Sequence, residues 1–154
     1  MNGKTTAEEL KERFSLSPHP ENGSFAERHY ADGSGDRPAS GSIFYYVAPD
    51  EITAFHRIDC DEYWCYAAGS DLEVTMIRED GSVERALLGV GDGASPLLYV
   101  SKGTVFASRH TGMPAPEGTF LSCITVPRFS PRGFEIFSKE DVLKTHPELE
   151  IFYK

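Results

Sequence analysis

The stretch Phe55-His56-Arg57-Ile58-Asp59-Cys60-Asp61-Glu62-Tyr63-Trp64-Cys65-Tyr66-Ala67-Ala68-Gly69 decides the fold. It closes an extended run over residues 54–58, turns at Cys60-Asp61, and returns extended over 62–67 before Gly69. Successive side chains of a strand point to opposite faces. His56 and Ile58 therefore share one face, and Glu62, Trp64 and Tyr66 share one face of the next strand.

Working outward, the same texture recurs. Short runs rich in β-branched and aromatic residues fall at 24–30, 43–48, 72–78, 83–88, 97–100, 105–109, 120–125 and 134–137. Turn residues separate them, including Pro49-Asp50-Glu51, Gly69-Ser70-Asp71 and the Asp80-Gly81 hairpin signal. The stretches 17–23, 31–42 and 111–118 read as loops rich in Pro, Gly or Ser. Helices are expected only near the ends. Thr6-Ala7-Glu8-Glu9 has the form of a capping box, with Leu10 and Phe14 one turn apart over 6–14. Ser138-Lys139-Glu140-Asp141 has the same form and opens a helix to about Thr145, which Pro147 prevents from continuing. Many close-spaced strands without strand–helix alternation predict an all-β sandwich or barrel over 1–154, including the double-sheet jelly roll.

Composition narrows the partners. Fourteen Gly, ten Pro, ten Phe and seven Tyr in 154 residues suit a globular chain of short strands. The net charge of −9 and the lack of a Lys/Arg cluster argue against nucleic acid. No apolar run is long enough for a bilayer, and the first residues, MNGKTTAEEL, lack the apolar core of a signal peptide. Cys60, Cys65 and Cys123 fit no zinc spacing, so reduced thiols in the cytoplasm are the expectation.

The quoted stretch resembles the first cupin motif, H-x-H-x(3,4)-E-x(6)-G, with His56, Glu62 and Gly69 at the His, Glu and Gly positions and Ile58 at the second His. Residues 101–110 resemble the second motif through Gly103, with Phe106 where its His belongs. The order His19-Pro20-Glu21-Asn22-Gly23, Ile43-Phe44-Tyr45-Tyr46, Asp61-Glu62-Tyr63-Trp64 and Cys123-Ile124-Thr125-Val126-Pro127 resembles the small cupin-like family long catalogued as a domain of unknown function. That family's usual His-Pro-Glu-Gly-Gly-Tyr reads here with Asn22 and Ser24, and Cys65 stands where a His is common. The resemblance implies a cupin double-stranded β-helix, a homodimer and a pocket inside the barrel, with the faces of His56 and Glu62 turned inward.

In metal-binding cupins three His and one Glu converge on a divalent ion. Ile58 and Phe106 offer no lone pair, so no metal and no cofactor are expected. His110, His29 and Glu27 are the groups that could complete an atypical ligand set. A His beside a carboxylate can act as general base, because the carboxylate orients the ring and stabilises the imidazolium. The candidate catalytic groups are thus His56 as base, Glu62 as orienting carboxylate, and Tyr66 or Tyr46 as acid. Phe44, Tyr46, Ile58, Trp64, Phe106 and Glu27 are the candidate pocket lining. This set is similar to that of metal-free sugar-nucleotide epimerases, which implies proton abstraction beside a carbonyl on a carbohydrate-like molecule. A binding or sensor barrel without catalysis is the alternative, and a metal-dependent enzyme the third. The bland readings stay beside these: His56 as a hydrogen-bonded structural residue, Glu62 in a salt bridge to Arg57, and the aromatics as plain core. His19-Pro20-Glu21 reads as a loop, a lid or a dimer contact. Arg109, Arg128 and Arg132 read as solvated charges or as anion contacts.

Overall fold

A computed structural model describes residues 3–32, 37–111 and 115–154. The central parts of the loops expected at 31–42 and 111–118 lie outside them. Two antiparallel sheets face each other. One orders its strands β1 (Ser17–Pro18), β2 (Ser24–Ala31), β3 (Ser40–Val47), β10 (Thr119–Val126), β5 (Asp61–Gly69) and β8 (Leu97–Val100). The other orders β11 (Glu135–Ile136), β4 (His56–Arg57), β9 (Val105–Arg109), β6 (Leu72–Ile77) and β7 (Val83–Leu88). This is the all-β, two-sheet barrel expected from the strand pattern.

The inner faces meet in a core of Tyr45, Val47, Trp64, Leu121 and Cys123 from the larger sheet and Leu72, Val74, Met76 and Phe106 from the smaller. Part of each outer face is covered by an end of the chain. Helix α1 (Ala7–Arg13) starts at Thr6, whose side chain and Glu9 form the reciprocal capping box. It covers Tyr46, Ala68 and Phe120 on the outside of the larger sheet. Helix α2 (Lys139–Thr145) is capped by Ser138, and a 3₁₀ helix then runs over Pro147–Tyr153. Pro147 ends the α-helix as expected but opens this further turn, which sequence reading missed. Together they pack Val142, Leu149 and Phe152 on Phe55, Ile77 and Ala107.

This covering corrects two expectations. β3 reads Ile43-Phe44-Tyr45-Tyr46-Val47, apolar throughout, so its phase cannot be seen by alternation. Phe44 and Tyr46 point outward beneath α1, and Tyr45 points inward. The Phe14 and Phe44 rings lie 4.7 Å apart, and the Tyr46 hydroxyl donates to Glu8 Oε1 at 2.8 Å. Neither residue lines the barrel. No helix among the described residues is long and apolar enough to cross a membrane.

Glu8 is the bolt of the N-terminal helix: its Oε1 accepts both the Tyr46 hydroxyl and the Gly118 N–H, the latter at 3.1 Å. Glu8→Ala should therefore cost about 2 kcal/mol in urea unfolding, two hydrogen bonds to a charged acceptor being lost at once. A loss within experimental error would show that α1 is held by apolar contact alone.

Candidate functional site

His56 is 3% exposed on β4, and both its ring nitrogens are engaged. Nδ1 lies 2.9 Å from the Ala54 carbonyl and must donate to it, so Nδ1 carries a proton. Nε2 lies 2.6 Å from Glu21 Oε2, an ion-pair contact. Burial opposes charge on this ring, but the Glu21 carboxylate prevails and holds the His56 pKa above its ordinary value. Burial likewise opposes charge on Glu21, which is 5% exposed, and His56 prevails in holding its pKa low. The pair is an imidazolium facing a carboxylate.

Glu21 reaches this place because of the loop that carries it. Asn22 and Gly23 adopt successive left-handed conformations, φ +75° and +76°. The turn closes through Asn22 N–H to the His19 carbonyl at 3.0 Å. Three further bonds clasp it to the barrel: Ala54 N–H to the Glu21 carbonyl at 2.8 Å, Asn22 Nδ2 to the Ile52 carbonyl at 2.9 Å, and the Tyr45 hydroxyl to the Asn22 carbonyl at 2.7 Å. Gly23 is required here, since an added Cβ would fall 2.5 Å from the Tyr45 hydroxyl oxygen.

Two more titratable groups complete the cluster. The Glu21 N–H donates to His19 Nδ1 at 3.1 Å, which leaves the His19 proton on Nε2. Burial lowers the His19 pKa, so its ring is neutral. Glu62, 7% exposed, accepts from the Trp64 indole N–H. Burial, and after it the charge of Glu21, pushes the Glu62 carboxyl up to about 7. The Cys123 thiol beside it is pushed well above its ordinary value by burial and by these two carboxylates.

His56, Glu62, Trp64 and Phe106 thus come together as expected, and Ile58 is buried two residues beyond His56. The Phe106 ring lies 4.2 Å from that of His56 and 5.8 Å from that of Trp64. Five expectations change. The carboxylate that orients His56 is Glu21, not Glu62, and a protonated His56 is an acid rather than a base. Tyr66 stands apart: it is four residues along β5 from Glu62, about 13 Å, and its hydroxyl donates to the Gly69 carbonyl at 2.6 Å. Glu27 lies at the exposed end of β2, its carboxylate 3.4 Å from Arg128. Arg57 pairs with Glu135 at 2.5 Å, not with Glu62. Glu21 was readable only as part of the His19–Gly23 pattern, because nothing in its spacing points at a residue 35 positions away.

The donors do not fit a divalent ion. His56 Nε2 is taken by Glu21, Ile58 and Phe106 stand at two ligand positions, and His110 Nε2 is bonded to Thr119 Oγ1 at 2.8 Å. Among the described residues no three His, Cys, Asp or Glu side chains are arranged to hold a metal.

The acid–base balance has a measurable signature. A carboxyl whose pKa rises from 4.5 to about 7 on folding contributes stability that is full below pH 4.5 and lost as pH climbs through 7. Glu62→Gln keeps a neutral acceptor for Trp64. Its stability relative to wild type should rise between pH 5 and pH 8, by on the order of 2 kcal/mol, in parallel urea titrations. A difference that stays flat across this range would remove Glu62 as the group titrating near neutrality.

Comparison with known proteins agrees with this barrel. Comparison with curated proteins returned no match. Among solved structures, a protein from Shewanella oneidensis is similar at 28% identity and TM-score 0.87, over 96% of this chain and 94% of that one. A hypothetical protein from Leishmania major is similar at 29% identity and TM-score 0.84, over 95% of each chain. A cupin 2 domain-containing protein from Halorhodospira halophila, at 14% identity and TM-score 0.59 over 90% of this chain and 86% of that one, shares the fold. The family described as Cupin_5, Cupin superfamily (DUF985), matches residues 8–137, and the chain belongs to it.

Proposed function

We propose that the barrel binds a small polar, carbohydrate-like molecule beside Glu21, His56 and Glu62 and moves a proton on it without a metal, as an isomerase or epimerase does. One observation carries this reading: two buried carboxyls in one barrel are driven in opposite directions, Glu21 down and Glu62 up to about 7. Such splitting separates an acid–base pair into distinct roles. Glu62 in its ionised form takes a proton from carbon beside a carbonyl, its pKa being suited to neutral pH. The electron pair passes to the carbonyl oxygen, whose negative charge is stabilised by the field of the His56 imidazolium while its two N–H groups stay with Ala54 and Glu21, and Glu62 returns the proton to the opposite face of that carbon once the enolate has turned over. Glu21 keeps His56 charged and oriented.

A binder without turnover is the second reading, favoured by the near-complete burial of His56, Glu21 and Glu62. Thermal-shift screening against sugars, nucleotide-sugars and organic acids, followed by NMR of each hit in D₂O, separates the two. Solvent deuterium should enter the hit at carbon with wild type, and not with Glu62→Gln. Stabilisation without exchange makes the protein a binder, and a screen without stabilisation overturns both readings.

The same proposal has the protein acting as a homodimer in the cytoplasm. Its support is a row of exposed apolar side chains, Ile124, Tyr63 and Tyr99, in direct register across β10, β5 and β8. Sedimentation velocity should give a dimer for wild type and a monomer for Tyr63→Glu/Tyr99→Glu, and a wild-type monomer would refute the assembly.

A further inference from the structure

The group around His56 is shut on most sides by fully buried side chains. Tyr45 and Phe106 are 0% exposed and Trp64 is 1%. Partial exposure begins with four rings: His19, Phe25, Phe129 and Phe134. These form one aromatic cluster. His19 packs on Phe25 at 4.7 Å and on Phe134 at 6.2 Å, and Phe134 packs on Phe129 at 5.5 Å. Phe134 also lies 5.7 Å from the His56 ring. Among the described residues it is the one ring in contact with both histidines.

The segment bearing Phe134 is hydrogen-bonded to the barrel at its ends, and between them it makes packing contacts, Gly133 lying against the Asp59 carboxylate. At one end Phe129 N–H donates to Thr125 Oγ1 at 3.0 Å, and Arg37 Nε donates to the Arg128 carbonyl at 2.9 Å. At the other, Glu135 and Ile136 pair with Arg57 and His56. Among the described residues, the hydrogen bonds of residues 130–134 are local turn bonds, Gly133 N–H to the Ser130 carbonyl at 3.0 Å and Phe134 N–H to the Pro131 carbonyl at 3.3 Å. A piece of chain held in this way opens at lower cost than the sheets beside it.

We infer that a ligand reaches Glu21, His56 and Glu62 between His19 and Phe134, and that Phe134 is the gate deciding what enters. This rests on the reading of that group as the working site. Swinging Phe134 aside exposes the His56 ring while leaving Trp64, Phe106 and Tyr45 as an aromatic wall. The opening suits a small molecule with a flat or ring-shaped apolar face and a carbonyl or hydroxyl oxygen drawn to the positive charge of His56.

Exchange of the histidine C2 proton in D₂O, followed residue by residue by mass spectrometry, tests the gate without any ligand. It therefore fails or holds independently of the substrate screen. His110 is 1% exposed and lies outside the aromatic cluster, so it reports global opening. In Phe134→Ala, exchange at His56 should quicken about tenfold or more, with His110 changed less than about twofold, as local opening requires. Phe134→Trp, which refills the space, should keep His56 protected. Equal acceleration at His56 and His110 would reduce Phe134 to ordinary packing. Unchanged exchange at His56 in Phe134→Ala would put the entrance elsewhere. Either result overturns the proposal.

Discussion

The contact between Glu21 and His56 governs the interior of this barrel. Removing two opposite charges from water is expensive, and removing one partner of such a buried pair typically costs about 3–5 kcal/mol because the other is left uncompensated. The pair persists because both partners are held by backbone. His56 Nδ1 is fixed by the Ala54 carbonyl, and the Ala54 N–H in turn holds the Glu21 carbonyl. One residue of the chain thus anchors both halves of the ion pair. Tyr45 adds the third clamp, and its inward position follows from the phase that α1 imposes on β3 by covering Phe44 and Tyr46. The covering helix, the strand phase and the ion pair are consequently one arrangement.

The single imidazole cannot neutralise two carboxyls. Glu21 takes its charge at 2.6 Å, and Glu62 is left with an indole N–H, a thiol neighbour and an apolar wall. Its proton is retained toward neutral pH for that reason. In a metal-binding barrel of this kind a divalent ion would supply the positive charge for the Glu position. Here the imidazolium does so in part, and a carboxylate borne by the N-terminal loop occupies its ring nitrogen. With Ile58 and Phe106 at two ligand positions and Glu21 on the remaining imidazole, the charge balance of this interior is met by side chains.

The fold was legible because strand spacing, turn residues and two capping boxes all pointed the same way. Most strand bounds shift by a residue or two, and β3 begins at Ser40 within the expected loop. The site was legible where alternation was clean, as in Arg57 exposed between His56 and Ile58, and Tyr63 exposed between Glu62 and Trp64. It failed where alternation was absent. The five apolar residues of β3 carry no phase, because both faces of that strand are buried. It failed again at Tyr66, where face is right but position along the strand is wrong, a distance that a two-residue period does not encode. Glu21 was hidden for a different reason: a contact across 35 positions of chain is a property of the closed barrel and leaves no local trace.

The loop that carries Glu21 also explains how the chain departs from its family's usual pattern without losing the geometry. Asn22 stands where a Gly is usual, at φ +75°. Most side chains would be strained there, but Asn is among the few that enter the left-handed region readily. It compensates by donating from Nδ2 to the Ile52 carbonyl, a bond that Gly cannot make. The neighbouring Gly23 has no such freedom, because the Tyr45 ring fills the space its side chain would need. Within two adjacent residues of the same backbone conformation, one tolerates a side chain and the other does not. What separates them is the direction each Cα faces: Asn22 outward to solvent, Gly23 inward against the phenol that fixes the loop, and through it the carboxylate on which the site depends.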